Sequence, residues 1–197
     1  MPNPKKITEI PTIDVVMVMV ETETESYVLD TANKIGVEPQ IETTDAVKLI
    51  VKNRLIAQKN EQSTITGNKI TLTDNVFAPE LVKILQGGTI RYWTNAEKIE
   101  EGTALTTFGI SGYTPPVTGS NEKGQVFKLH AFSAQYDTSG QIVQYEKITY
   151  PNCQGVPVAF SSEDGAFRAP EYTINSAPKS NEAPYDISYV AELPEIA

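Results

Sequence analysis

Tyr145-Glu146-Lys147-Ile148-Thr149-Tyr150-Pro151-Asn152-Cys153-Gln154-Gly155 opens a run that reads as strands and turns all the way to Leu193. It continues through Asp164-Gly165 and Arg168-Ala169-Pro170. It closes with Tyr172-Thr173-Ile174-Asn175-Ser176-Ala177-Pro178, Ala183-Pro184-Tyr185-Asp186-Ile187 and Leu193-Pro194. Tyr, Ile, Val and Thr alternate with polar residues, and Pro, Asn-Cys and Asp-Gly punctuate the runs at turn positions. Pro151, Pro157, Pro170, Pro178 and Pro184 each remove a backbone donor. They therefore belong at strand ends, or on edges facing solvent or another molecule. A tail so rich in extended edges reads as one that neighbours complete, and it holds no catalytic constellation.

Working outward, 197 residues suffice for one all-β domain with a real core. The charge is one-sided, with 25 acidic against 16 basic residues and a net of -9. That balance argues against a protein that grips nucleic acid, which Lys and Arg must hold, though not against one that nucleic acid slides past. Cys153 is the single cysteine, so no intrachain disulfide and no Cys-pair zinc site can form. Met1-Pro2-Asn3-Pro4-Lys5-Lys6 has charge with no apolar core behind it, unlike a signal peptide, and Val15 to Val20 is far too short to span a bilayer. The expectation is folding in a reducing cytoplasm.

Ile13 to Val20 reads as a buried strand running into Glu21-Thr22-Glu23-Thr24-Glu25-Ser26, where strand periodicity puts Glu21, Glu23 and Glu25 on one face. Glu38, Gln40 and Glu42 repeat the pattern after a turn expected near Gly36. A solvated outer face accounts for these acids; the sharper reading is an acidic wall around an enclosed aqueous space. Asp45 to Lys59 fits two short strands around a turn at Lys52-Asn53, and also a helix stripe through Ala46, Leu49, Ile50 and Ile56; the hairpin is favoured. Asn60 to Thr64 reads as loop and Ile65 to Thr73 as a strand, with a turn or bulge at Gly67-Asn68. Pro79 to Gln86 is the one convincing helix, with Pro79 and Glu80 in its first turn, a Phe77–Val82 staple, and Gly87-Gly88 after it. At roughly two turns it must lie on a sheet. Ile90 to Trp93 restarts strand character, and Asn95 to Gly102 is a loop or short helical turn. Ser111 to Gly124 is a long aperiodic loop, of a kind that is often functional. Val126 to Tyr136 and Gln141 to Tyr150 form a hairpin across Asp137-Thr138-Ser139-Gly140.

Little chemistry is on offer. His130 is the lone histidine, most simply a polar strand residue. Gly119 to Gly124 has the glycine spacing of a phosphate loop, but Gln125 and Val126 stand where Lys and Ser/Thr belong. Asp137, Ser139, Glu163 and Asp164 meet no calcium-loop spacing. Cys153 lacks a neighbouring base. No enzyme activity, cofactor or metal is expected.

Three separated stretches, Gly67 to Gly88, Tyr150 to Gly155 and Arg168 to Pro178, together resemble the major tail (tail tube) proteins of phages that infect Gram-positive bacteria; the similarity runs from about Val37 onward. The resemblance implies a mainly β fold, a β-sandwich or half-barrel with one short α-helix packed on the outside. It implies one domain over 1–197 with an N-terminal arm (1–12), a long loop (111–124) and an extended C-terminal segment (170–197). Six copies would form a ring, and stacked rings a virion tail tube assembled in the host cytoplasm, through which DNA is ejected without specific binding. Partners implied are further copies, tape measure, tail terminator and baseplate proteins, and a sheath protein if the tail contracts, with no membrane. On that reading Glu21, Glu23, Glu25, Glu38 and Glu42 are candidate lumen acids, and Pro115, Pro116, Pro170, Pro178 and Pro184 candidate assembly contacts. Other readings are another virion component such as a capsid decoration protein, or a β-sandwich carbohydrate-binding module; adjacent Tyr92 and Trp93, pointing to opposite faces, speak against the last.

Overall fold

The computed structural model describes residues 6–7, 9–101, 106–107, 109–165 and 168–196. Chain order is β1 (Thr12–Glu21), β2 (Ser26–Leu29), β3 (Ala32–Thr44), β4 (Val47–Val51), β5 (Arg54–Lys59), β6 (Gln62–Asp74) and α1 (Pro79–Gln86). Then come β7 (Thr89–Tyr92), α2 (Asn95–Glu101), β8 (Ile110–Thr114), β9 (Phe127–Tyr136), β10 (Ile142–Gly155), β11 (Glu171–Ser176) and β12 (Asp186–Val190). The fold is mainly β and antiparallel. Its main sheet has eight strands in the order β2-β1-β9-β10-β11-β6-β3, with β12 added beside β10.

The sheet curls on itself. β2 and β3 lie at opposite ends of that order, yet only Asp30 and Thr31 separate them in sequence. Three peptide steps span about 10 Å, so the two ends must come together, and β3 indeed runs beside β1. The inner face follows strand alternation: Val18 and Val20 from β1, Ile70 and Leu72 from β6, and Tyr172 and Ile174 from β11 are fully buried. Across the register Val37 faces the same side as its partner Ile70, which leaves Glu38 opposite Lys69 on the outer side.

α1 has the expected bounds. Leu81, Val82, Ile84 and Leu85 are buried and complete the core, and Gly87, at φ 85°, caps the C-terminus by donating its N–H to Lys83 O at 2.8 Å. The N-cap Ala78 offers no side-chain acceptor. Its own N–H reaches the Tyr172 hydroxyl at 3.3 Å instead. Phe77 packs on the core and meets the Phe160 ring edge-on at 5.6 Å.

Several expectations are corrected. Gly36 lies inside β3, paired with Thr71, so no turn occurs there. Asn60 to Thr64 is not all loop, because β6 begins at Gln62. The irregularity near Gly67 is a bulge: Gln40 faces Gly67 and Ile41 faces Ile65, leaving Thr66 extra. Of the loop or short helical turn expected from Asn95, the helix is the outcome: α2 is opened by a capping box in which Glu97 accepts from Thr94 N at 2.8 Å and Glu97 N reaches Thr94 Oγ1 at 3.3 Å. Ser111 to Thr114 belongs to β8, which pairs with β7. The stretch between β8 and β9 is held within the single chain as well. Gln125 N donates to Ile84 O at 2.8 Å and Gly88 N to Glu122 Oε1 at 2.9 Å, tying the segment to the end of α1.

Two glycines hold α1 in place. A Cβ on Gly155 would lie 2.5 Å from Leu85 Cα, and one on Gly124 would lie 2.1 Å from Leu85 O. Both obstacles are α1 itself, so the helix would have to move. Gly155→Ala and Gly124→Ala are each expected to cost about 2 kcal/mol by overpacking. Chemical denaturation checks this as a lower midpoint at unchanged slope.

Candidate functional site

The feature that asks for a partner is the end of the β3–β6 ribbon. Every residue from 37 to 64 is exposed, and among the described residues β4 and β5 pair only with each other, clear of the main sheet. The hairpin is the favoured one, turned by Lys52 (φ 48°) and Asn53 (φ 62°) as a two-residue loop with both central residues left-handed. It is apolar on both strands: Val47, Leu49, Ile50 and Val51 on β4 and Leu55 and Ile56 on β5 are each about half or more exposed, with Ile50 directly opposite Leu55. A two-stranded hairpin is marginal in water without a third layer. Six large apolar side chains left in solvent are an unmet burial surface.

Charge sets this element apart from the rest. Val47–Lys59 carries Lys48, Lys52, Arg54 and Lys59 and no acid, while the remaining chain holds 12 basic residues against all 25 acidic ones. None of these four cations forms an ion pair among the described residues. A second unfinished feature is β12, which among the described residues bonds to β10 on one side only and so presents a free edge.

The five candidate lumen acids are not one row. Glu21 ends β1, whereas Glu23 and Glu25 sit in the β1–β2 turn, closed by Thr22 N donating to Glu25 O at 2.8 Å. Strand alternation stops at Glu21, so the three glutamates do not share a strand face. Glu38 and Glu42 do share the outer face of β3. The five prolines are likewise dispersed. Pro115 and Pro116 follow β8; Pro170 is buried, its carbonyl accepting from Asp74 N at 3.1 Å; Pro184 O accepts from Asn68 Nδ2 at 2.8 Å; and Pro178 is half-buried. Residues 1–5 and 8 of the N-terminal arm lie outside the described residues.

His130 is more than a polar strand residue. It is buried between β1 and β10, with Nε2 3.0 Å from Glu21 Oε2 and Nδ1 3.0 Å from Thr149 Oγ1. Burial holds its imidazole below the usual range, Lys147 and Lys128 adding to this against the opposing pull of Glu21. The hydrogen bond from His130 lowers the Glu21 carboxyl in turn. The pH consequence has a definite sign. In the unfolded chain His130 takes up its proton near 6.5, above its folded value, so acidification through that range favours unfolding; Glu21 adds loss below its ordinary 4.5. Unfolding free energy is therefore expected to fall between neutral pH and about 5, and His130→Gln should flatten that limb in urea titrations.

The remaining groups are structural. Asp137 Oδ1 accepts from Ser139 N at 2.9 Å, Ser139 Oγ at 2.7 Å and Gln141 N at 2.9 Å, closing the hairpin turn. Cys153 is buried beside Tyr150 O at 3.3 Å, and burial pushes its thiol up to about 12.

Among known proteins, no family model and no curated protein matches the sequence. Solved structures similar along the chain include one from the sheath–tube complex of an extracellular contractile injection system, PVC, in its extended state. It is 13% identical, with 93% of each chain covered and a TM-score of 0.37. A chain from the anti-feeding prophage tube-terminating cap is 11% identical, covers 94% of this chain and 95% of its own, and has a TM-score of 0.37. One from the anti-feeding prophage baseplate is 8% identical over 97% and 98%, with a TM-score of 0.32. Scores this low carry neither fold nor function, which rest on the strand order and the residues above.

Proposed function

We propose that this chain is a structural virion protein, a tail tube subunit that polymerises as stacked rings of six copies into the conduit for DNA ejection. The observation that carries assembly is the exposed apolar hairpin Val47–Lys59, which has no sheet of its own to lie on. The tube itself comes from the resemblance of Gly67 to Gly88, Tyr150 to Gly155 and Arg168 to Pro178 to tail tube proteins. The free edge of β12 supports the same reading, since closure through neighbours removes sheet edges. Copies meet tape measure, terminator and baseplate proteins at the tube ends, and a sheath where the tail contracts. Acid excess gives the wall its function: like charge between wall and phosphate keeps DNA from sticking during passage. Of the candidate lumen acids, Glu38 and Glu42 fit best, sharing one strand face. Purified protein viewed by negative-stain microscopy and size-exclusion chromatography should give rings or hollow tubes at high concentration. A strictly monomeric species, even with the other tail proteins supplied, would contradict the tube.

A further inference from the structure

We infer that the basic hairpin tip, Lys52-Asn53-Arg54, seats in the cleft between the β1–β2 turn and α1 of a second copy of this chain. This rests on the assembly reading above and names the surface that receives the hairpin. The cleft has a volume of about 620 Å³, and its lining includes Glu25, Tyr27, Leu29, Glu80, Leu81 and Tyr92. Its chemistry is the complement of the tip. Glu25 and Glu80 form no ion pair among the described residues, just as Lys52 and Arg54 form none. Lys83, which also lines the cleft, is the one countercharge among the described lining residues, so the balance there stays acidic. The Tyr27 hydroxyl donates to Glu25, and that bond, with burial, pushes the phenol up to about 12, so Tyr27 stays neutral. Tyr92, 59% exposed, offers a ring face on which a guanidinium can stack.

Two rival surfaces fit less well. The apolar groove of about 310 Å³ that includes Val37, Ile65, Ile148 and Tyr185 has no charged lining residue, so it would strand a cation. The cleft with Glu21, Glu23 and Glu182 already holds Lys128 and Lys179, and Glu21 is engaged by His130. Among the described residues the hairpin's strands pair only with each other, which leaves the tip open to another copy. Each copy then presents one tip and one cleft. Such a head-to-tail contact repeats around a ring or along a stack rather than closing a two-fold pair.

The test uses full-length chains and sedimentation of polymer. The tip variant Lys52→Glu with Arg54→Glu, and the cleft variant Glu25→Lys with Glu80→Lys, should each raise the concentration needed for assembly at least about tenfold. Mixing the two should restore assembly, because each tip then meets a cleft of opposite sign. Circular dichroism of the separate variants establishes that they are folded. Should the cleft variant not fold, Glu25→Gln with Glu80→Gln replaces it, with a loss of assembly a few-fold in size. Normal assembly of the tip variant would overturn the docking while leaving the tube reading intact. Failure of the mixture to recover, with both variants folded, would overturn it as well. Wild-type protein that never assembles would overturn the tube reading and this contact with it.

Discussion

Deleting residues 45–61 and joining Thr44 to Gln62 through Asn-Gly is expected to give a folded monomer that no longer assembles. Thr44 and Gln62 are already direct partners in the β3–β6 ladder, so a two-residue turn closes the ribbon in register. Every residue removed is exposed, and none belongs to the core. Thermal stability should therefore stay within about 0.5 kcal/mol of the full chain. Assembly is another matter, since the deletion takes away six exposed apolar side chains and four cations that form no ion pair among the described residues. Polymer yield in sedimentation should drop at least about a hundredfold, the scale of losing several buried anchors of an interface. Normal tubes from the shortened chain would remove the hairpin from the assembly.

Tyr172→Ala is expected to give the largest loss of stability from a single substitution. Tyr172 is fully buried, pairs with Leu72 across the β11–β6 ladder, and accepts through its hydroxyl from Ala78 N at the entry to α1. Truncation leaves a cavity where strand and helix meet, costing about 4 kcal/mol. Tyr172→Phe keeps the volume and loses the acceptor for Ala78 N, at about 1 kcal/mol. Equilibrium denaturation of both separates packing from hydrogen bonding. Near-equal effects would mean that the hydroxyl, not the ring, holds the helix.

Local signals made much of this fold legible. Pro79 with Glu80 at the start and Gly87-Gly88 at the end mark a helix whose bounds need no tertiary information, because caps and dipole act within one turn. Lys52-Asn53 between apolar runs specifies a tight turn for the same reason. α2 was also readable: Thr94-Asn95-Ala96-Glu97 is a capping box set in an acidic, polar segment that masks it. β8 was not readable, since Ser111 to Thr114 has no alternation and is a strand only because β7 lies beside it.

The candidate site was less legible. Period-2 spacing in Glu21, Glu23 and Glu25 suggested a common face, but spacing cannot show where a strand stops, and Thr22 turns the chain back. The His130–Glu21 pair joins residues far apart in sequence through β1–β9 pairing, which periodicity does not reveal. Most telling is Val47 to Lys59. Its apolar residues look like those of any half-buried strand, and nothing in the string says that they stand clear of the main sheet, exposed to solvent.

Hydrogen exchange of the wild-type chain, compared between dilute monomer and assembled polymer, tests assembly through the hairpin most directly. In the monomer, amides of residues 47–59 should exchange fast, because their ladder is short and open to water on both faces. In the polymer they should slow at least about a hundredfold, while Ile70, Leu72 and Ile174 stay protected in both. Equal exchange across residues 47–59 in the two states would contradict the account.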